Sequence, residues 1–127
     1  MPDWSADELA KIGEAIELEI APRRNDGTTW APVPIWVVRV GNDLYIRSVY
    51  GRTAGWFRHA LLRHEGHIRA GGIDRDVRFD EVGREMDDAL DAQYRSKYRS
   101  FAAEHVDTTV TDEAKGATLR LVPAETP

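Results

Sequence analysis

A chain of 127 residues, 42% hydrophobic and 31% charged, has the composition of an ordinary globular domain and should bury roughly two-thirds of its unfolded surface, so a single domain, 1–127, is expected. Its net charge of −5 excludes a general nucleic-acid or acidic-membrane binder, since either needs a basic surface. The absence of cysteine excludes disulfides, thiolate metal sites and a cysteine nucleophile, and with no apolar run of about 20 residues and an acidic MPDWSADEL start that lacks a signal core, the expected location is the cytoplasm.

Ser5 and Glu8 have the spacing of a capping box, with Trp4 and Leu9 placed as a hydrophobic staple. They open a short helix that carries Leu9 and Ile12 inward as far as Gly13. Ile16, Leu18 and Ile20 then alternate with Glu17 and Glu19, the period of a strand, which Pro22 ends. RRNDG at 23–27 contains the Asp-Gly pair of a tight turn, and Pro32 and Pro34 delay the next strand to about Ile35.

A hairpin follows, turning at either Gly41-Asn42 or Asn42-Asp43. The two choices shift the register by two residues and leave the faces unchanged. One face carries Ile35, Val37, Arg39, Leu44, Ile46 and Ser48; the other carries Trp36, Val38, Val40, Tyr45, Arg47 and Val49. Both are largely apolar, so the pair lies between two layers or in a small barrel whose outer face is covered by a helix, a cofactor or a second subunit. Trp36, Tyr45 and Arg47 mark the second face as the ligand or dimer surface.

Thr53 is read as the N-cap of a helix running to about His64, with Gly66 just beyond its end and Trp56, Phe57, Ala60 and Leu61 as its buried stripe. His67 to Phe79 reads as a hairpin around Gly71-Gly72, with Arg69 opposite Asp74 and His67 opposite Asp76. A long helix is expected over 82–103, where Met86, Leu90, Tyr94, Tyr98 and Phe101 form a stripe. Residues 106–116 read as a polar loop and 117–122 (ATLRLV) as a last strand. Residues 1–4 and 124–127 are expected to be mobile.

Between Pro34 and Arg63 five arginines (39, 47, 52, 58 and 63) stand against one acid, Asp43, in an otherwise acidic chain. Arg47, Ser48, Tyr50, Arg52, Thr53 and Arg58 therefore group guanidinium and hydroxyl donors at a strand end and a helix start, a setting that stabilises phosphate or carboxylate. The alternative is that these arginines pair with acids elsewhere in the chain. Histidines 59, 64 and 67 lack the i, i+4 spacing of a helical metal pair, so no metal site is expected. Glu85, Asp87, Asp88 and Asp91 read as a solvated helix face, Tyr94 and Tyr98 as core or dimer packing, and no pair of residues suggests a nucleophile with its base.

The stretches PIWVVRVGNDLYIRSVYGRTAGWFR, GHIRAGG, QYRSKY and TLRLVP resemble a small bacterial family of unknown function over nearly the whole chain. More distantly, the order of elements and the Gly55-Trp56-Phe57 opening of the middle helix are similar to the split-barrel flavin and deazaflavin proteins, the group of pyridoxamine-phosphate oxidases and deazaflavin-dependent nitroreductases. That resemblance implies an α+β fold, a six-stranded and largely antiparallel split β-barrel. A short N-terminal helix, a helix between the central hairpins and a long helix before the last strand complete it. It implies a homodimer holding FMN or a deazaflavin near the outer barrel wall, against Trp36 and Tyr45, with Arg47, Ser48, Tyr50, Arg52 and Arg58 on the phosphate side. A non-catalytic barrel that uses the same arginines for a small anion or a protein partner is the other expectation.

Overall fold

The computed structural model describes residues 3–124; the expectations for 1–2 and 125–127 fall outside these. In chain order the elements are helix α1 (Ala6–Glu14), strands β1 (Leu18–Pro22), β2 (Val33–Ile35), β3 (Val37–Val40) and β4 (Asp43–Arg47), helix α2 (Gly55–Arg63), strands β5 (Glu65–Ala70) and β6 (Ile73–Glu81), helices α3 (Asp87–Lys97), α4 (Ala103–Asp107) and α5 (Asp112–Lys115), and strand β7 (Thr118–Pro123). The strands form one antiparallel sheet in the order β2-β1-β5-β6-β7-β4-β3.

β2 and β3 are the two edges of that order, yet in the chain only Trp36 separates them. Before Trp36 the backbone pairs with β1, Ile35 opposite Leu18; after it the backbone pairs with β4, Val37 opposite Ile46. The sheet therefore curls into a nearly closed barrel whose seam lies at Trp36. Six strands are expected from the sequence and seven are present, because the extended run from Val33 to Val40 changes partner and counts twice. Pro34 is tolerated in β2 since an edge strand has no second neighbour to receive its missing N–H.

Alternation fills the barrel. Leu18, Ile20, Val37, Leu44, Ile46, Ile68, Val77, Phe79, Leu119 and Leu121 are buried together, joined by Leu9 and Ile12 of α1 and by Phe57 and Ala60 of α2. Trp4 sits in the same core at 6% exposure and donates its indole N–H to Leu121 O at 3.0 Å, so the terminal stretch is anchored from that residue on. The capping box forms as expected: Glu8 N–H donates to Ser5 Oγ at 3.1 Å and Ser5 N–H to Glu8 Oε1 at 2.9 Å. The central hairpin turns at Gly41-Asn42, with Val40 opposite Asp43.

Three helical expectations are corrected. The N-cap of α2 is Ala54, because a 3-10 turn at Gly51–Thr53 precedes the helix and Thr53 Oγ1 donates to Tyr50 O at 3.3 Å instead of capping. His64, in the left-handed region at φ 55°, ends α2. Gly66 lies inside β5, where a Cβ would come within 2.7 Å of Ala21 O, so its role is close strand packing. Over 82–103 the expected long helix is a 3-10 turn at Arg84–Met86 and α3, which stops at Lys97 as Tyr98 turns toward the barrel seam; α4 begins only at Ala103, and α4 and α5 break up the expected loop.

The Gly71-Gly72 hairpin has its expected register, and its solvent face gathers an ion cluster. His67 bonds Asp76 through Nδ1 at 2.8 Å and Asp74 through Nε2, while Arg69 and Arg23 reach Asp74 and Asp76 at 3.2 and 3.1 Å. Burial disfavours the imidazolium, but the hydrogen bonds to Asp76 and Asp74 outweigh it and hold the His67 pKa above its usual 6.5. A folded pKa above the unfolded one gives stability that is full below pH 6.5 and is lost as pH rises through the folded value. Denaturant midpoints followed from mildly acidic to mildly basic pH should fall in the native chain and fall less in His67→Gln. Parallel curves would mean that the imidazole adds nothing.

Candidate functional site

The alternation that sends Leu44 and Ile46 into the barrel sends Tyr45 and Arg47 outward, beneath α3. This answers what covers the second face of the hairpin: Val38 and Tyr45 pack against Leu90, Tyr94 and Tyr98. Arg47 is 3% exposed there. Its Nη1 donates to Asp91 Oδ1 at 2.7 Å and to Thr109 O at 2.9 Å, its Nη2 to Asp87 Oδ1 at 3.5 Å, and its Nε to Thr118 Oγ1 at 3.3 Å. Of the five N–H groups of a guanidinium, one on Nη2 is left over. Asp87 and Asp91, one helical turn apart, thus leave the solvated face assigned to them and neutralise a buried cation.

The other expected residues divide. Ser48 is buried, its amide donating to Ala117 O at 3.0 Å and its hydroxyl without a partner. Tyr50 is 75% exposed. Arg52 donates to Glu81 Oε1 at 2.9 Å and Gly116 O at 3.1 Å. Arg58 is exposed and has no carboxylate within ion-pair distance among the described residues. Tyr45 is buried under α3, facing the Arg120 side. The histidines separate as well: His59 stacks on Trp30, His64 Nδ1 meets Phe79 O at 3.1 Å, and His67 joins its aspartates.

Where the barrel seam opens beside α3, Trp36, Arg47 and Tyr50 line a cavity of about 330 Å³. Val33, Ile35, Val49 and Trp56 add apolar wall, Tyr94, Thr108 and Thr109 form the α3 and α4 side, and Glu17 and His105 supply its other ionisable groups. Trp36 is braced by a parallel stack on Tyr98, centroids 3.8 Å apart. Arg47 lies 5.5 Å from the Tyr94 ring centre. Burial raises the Tyr94 pKa and keeps the phenol protonated; the hydroxyl lies near the Arg47 main chain without completing a hydrogen bond. The lining therefore offers flat aromatic walls, while the Tyr94 hydroxyl and the Arg47 guanidinium are buried behind them.

The sequence reads Trp56 as core and Tyr94 as core or dimer packing, places Thr108 and Thr109 in a loop and gives His105 no role. Thr111 before Asp112 and Glu113 carried a missed N-cap signal, its hydroxyl accepting from Ala114 N–H at 3.1 Å, whereas α4 ends at Asp107, before an i, i+4 partner for Val106 could fall within it.

A family model described as an uncharacterized protein conserved in bacteria (DUF2255) matches residues 8–121. No curated protein matches at the sequence level. Among solved structures, the heme storage protein HutZ from Vibrio cholerae is similar at TM-score 0.63 and 13% identity, over 99% of this chain and 93% of that one. An FAD-binding protein from Mesorhizobium loti is similar at 0.55 and 18%, over 96% and 91%, and an F420 reductase at 0.54 and 15%, over 94% and 93%. At these identities the likeness establishes the split-barrel fold. No helix among the described residues is long and apolar enough to cross a membrane.

Proposed function

The chain belongs to the bacterial DUF2255 family, matched over residues 8–121, and from that premise we propose that it binds a planar heteroaromatic cofactor of the flavin or deazaflavin type in the seam cavity, as a candidate oxidoreductase. The observation that carries this reading is the set of aromatic walls, Trp36, Tyr50 and Trp56, gathered around one cavity at the barrel seam. Split-barrel neighbours described as an F420 reductase and an FAD-binding protein support the class.

The residues fit a conjugated ring. A volume of about 330 Å³ is at the small end of ligand sites, suited to a ring system without its tail. Trp36 and Trp56 offer stacking surfaces, and Tyr50 and His105, exposed polar side chains of the lining, could bond ring carbonyl oxygens. When bound, the cofactor would supply hydride chemistry; the protein's part is to orient the ring and exclude water from it. In the proposed homodimer a second copy would cover Tyr50 at the cavity mouth.

Purified protein should show a flavin-like visible spectrum or, if colourless, quench the fluorescence of added FMN or deazaflavin. Trp56→Ala should weaken that binding about tenfold, the equivalent of one lost stacking contact, measured below the variant's own melting temperature because the ring also packs partly on the barrel core. Lack of binding by either ring at tens of micromolar, or a Soret shift with hemin in place of a flavin signal, would overturn the reading.

A further inference from the structure

We propose that the stack Arg24–Trp30–His59, with Arg58 beside it, is a binding site for an oxyanion of the phosphate or pyrophosphate type. The site lies on the β1–β2 loop and α2, apart from the arginine set expected from the sequence except for Arg58. It is needed if the seam cavity holds a ring whose tail is anionic, because the one arginine lining that cavity, Arg47, is already engaged by two aspartates. It does not depend on that ring, since a free oxyanion would meet the same donors.

The loop is built. Arg24 N–H donates to Thr28 O at 2.6 Å, Gly27 N–H to Arg24 O at 3.0 Å and Trp30 N–H to Pro22 O at 2.8 Å. Arg63 Nη1 ties it to the end of α2 through Arg24 O and Asn25 O, at 3.0 and 3.2 Å. On this frame the Trp30 indole lies parallel to the His59 imidazole, 3.6 Å between centroids and 3° between planes. The Arg24 guanidinium sits 4.0 Å from the same indole centre. Two groups that close cannot share one face, so His59 covers one side of the ring and Arg24 the other.

What marks a site is donors without acceptors. Among the described residues the neighbouring arginines are all matched, Arg23 with Asp76 at 3.1 Å and Arg63 with Glu65 at 2.7 Å. Arg24 and Arg58 have no such partner, in a chain of net charge −5 where carboxylates outnumber cations. The carboxylate closest to Arg24 in sequence, Asp26, is turned to Thr28, accepting from its amide at 3.0 Å and its hydroxyl at 2.6 Å. Burial, then the charges of Arg58 and Arg24, hold the His59 pKa below its usual 6.5, so the imidazole is neutral in a positive field. A guanidinium fork suits an oxyanion, and both indole faces are occupied, which excludes base stacking on Trp30.

His59 and Trp56 are three residues apart on α2, so this stack stands about 5–6 Å along the helix from the cavity wall. A ring ligand leaving the cavity past Trp56 would carry its phosphate toward the His59 stack and the two arginines beside it.

The test follows the His59 ring by NMR while inorganic pyrophosphate is added, with chloride as the control for ionic strength. The anion should raise the His59 pKa, and the Arg24→Ala, Arg58→Ala double variant should bind it at least about tenfold more weakly. These exposed side chains leave the core untouched, so an unchanged melting temperature would certify the variant. No movement of His59 beyond the chloride control, or equal affinity in the double variant, would overturn the site. Riboflavin and FMN separate the sources. FMN binding more tightly than riboflavin in the native chain alone assigns the site to the tail of the ring ligand. Equal binding of the two, with His59 still responding to pyrophosphate, assigns it to a free anion. If neither ring binds but pyrophosphate moves His59, the cavity reading fails and this site stands.

Discussion

Arg47→Ala will destabilise the protein by about 3–5 kcal/mol, the range for breaking a buried ion pair from one side. The guanidinium is held at 0% side-chain exposure between Asp87 and Asp91, whose own side chains are 14% and 21% exposed. Truncating it leaves two carboxylates facing each other across an emptied site, with Lys115, 3.3 Å from Asp91, and Arg84, 2.5 Å from Asp87, as the more exposed cations that remain. Thr109 O and Thr118 Oγ1 lose their donor as well. Since small domains have about 5–15 kcal/mol in total, the variant should sit near the edge of folding. Urea unfolding at unchanged m value would report the loss as a lower midpoint. Removing the acids together with the base, as Arg47→Met with Asp87→Leu and Asp91→Leu, should recover most of it, because the penalty comes from unpaired charge. A single variant within about 1 kcal/mol of the native chain would return Arg47 to the role the sequence suggested, a cation available to a ligand.

Of the two readings open for the arginines, ligand or ion pair, Arg47 takes the second for a reason visible in the fold. Five arginines against one acid between Pro34 and Arg63 is a count along the chain, whereas Arg47 meets Asp87 and Asp91, 40 and 44 residues later, because β4 runs beneath α3. Elements whose signals are local were legible: the Ser5–Glu8 box, the Gly71-Gly72 turn and the two faces of the central hairpin, all fixed by spacing or by the pleat. Elements fixed by distant partners were not. Nothing around Trp36 announces that the backbone exchanges β1 for β4, since no glycine or turn residue is needed where an extended chain keeps its direction. The cavity suffered likewise: Trp36, Arg47 and Tyr50 were foreseen as neighbours, but Trp56 and Tyr94 have the helical spacing of core residues and only their position at the barrel seam turns them toward an opening.

The seam also locates the second large effect. Val37 begins β3 at the sheet edge, and its main-chain groups find no strand on that side. Tyr98 takes the place of one: its hydroxyl accepts from Val37 N–H at 3.2 Å and lies 2.7 Å from Ile16 O and 3.2 Å from Val37 O, to which it can donate. Lys97 adds a donor to Val37 O, and burial lowers its amine pKa to about 8. A single phenol thus links the chain entering β1 to the chain entering β3, across the gap where the ladder is broken. Tyr98→Phe keeps the stack on Trp36 and leaves the buried Val37 N–H without a partner, while Ile16 O, on a residue 59% exposed, turns to water; the loss should be about 1–3 kcal/mol, the cost of one unsatisfied buried group. Tyr98→Ala also removes the ring beneath Trp36 and should lose about 3–5 kcal/mol or more. Hydrogen exchange separates the two links: the Val37 amide should lose protection in Tyr98→Phe while the Leu44 and Ile46 amides inside the barrel keep theirs. Uniform loss at all three would mean that the hydroxyl supports the whole barrel rather than its seam. An unchanged Val37 amide would show that Lys97 and the Trp36 stack close the gap without it.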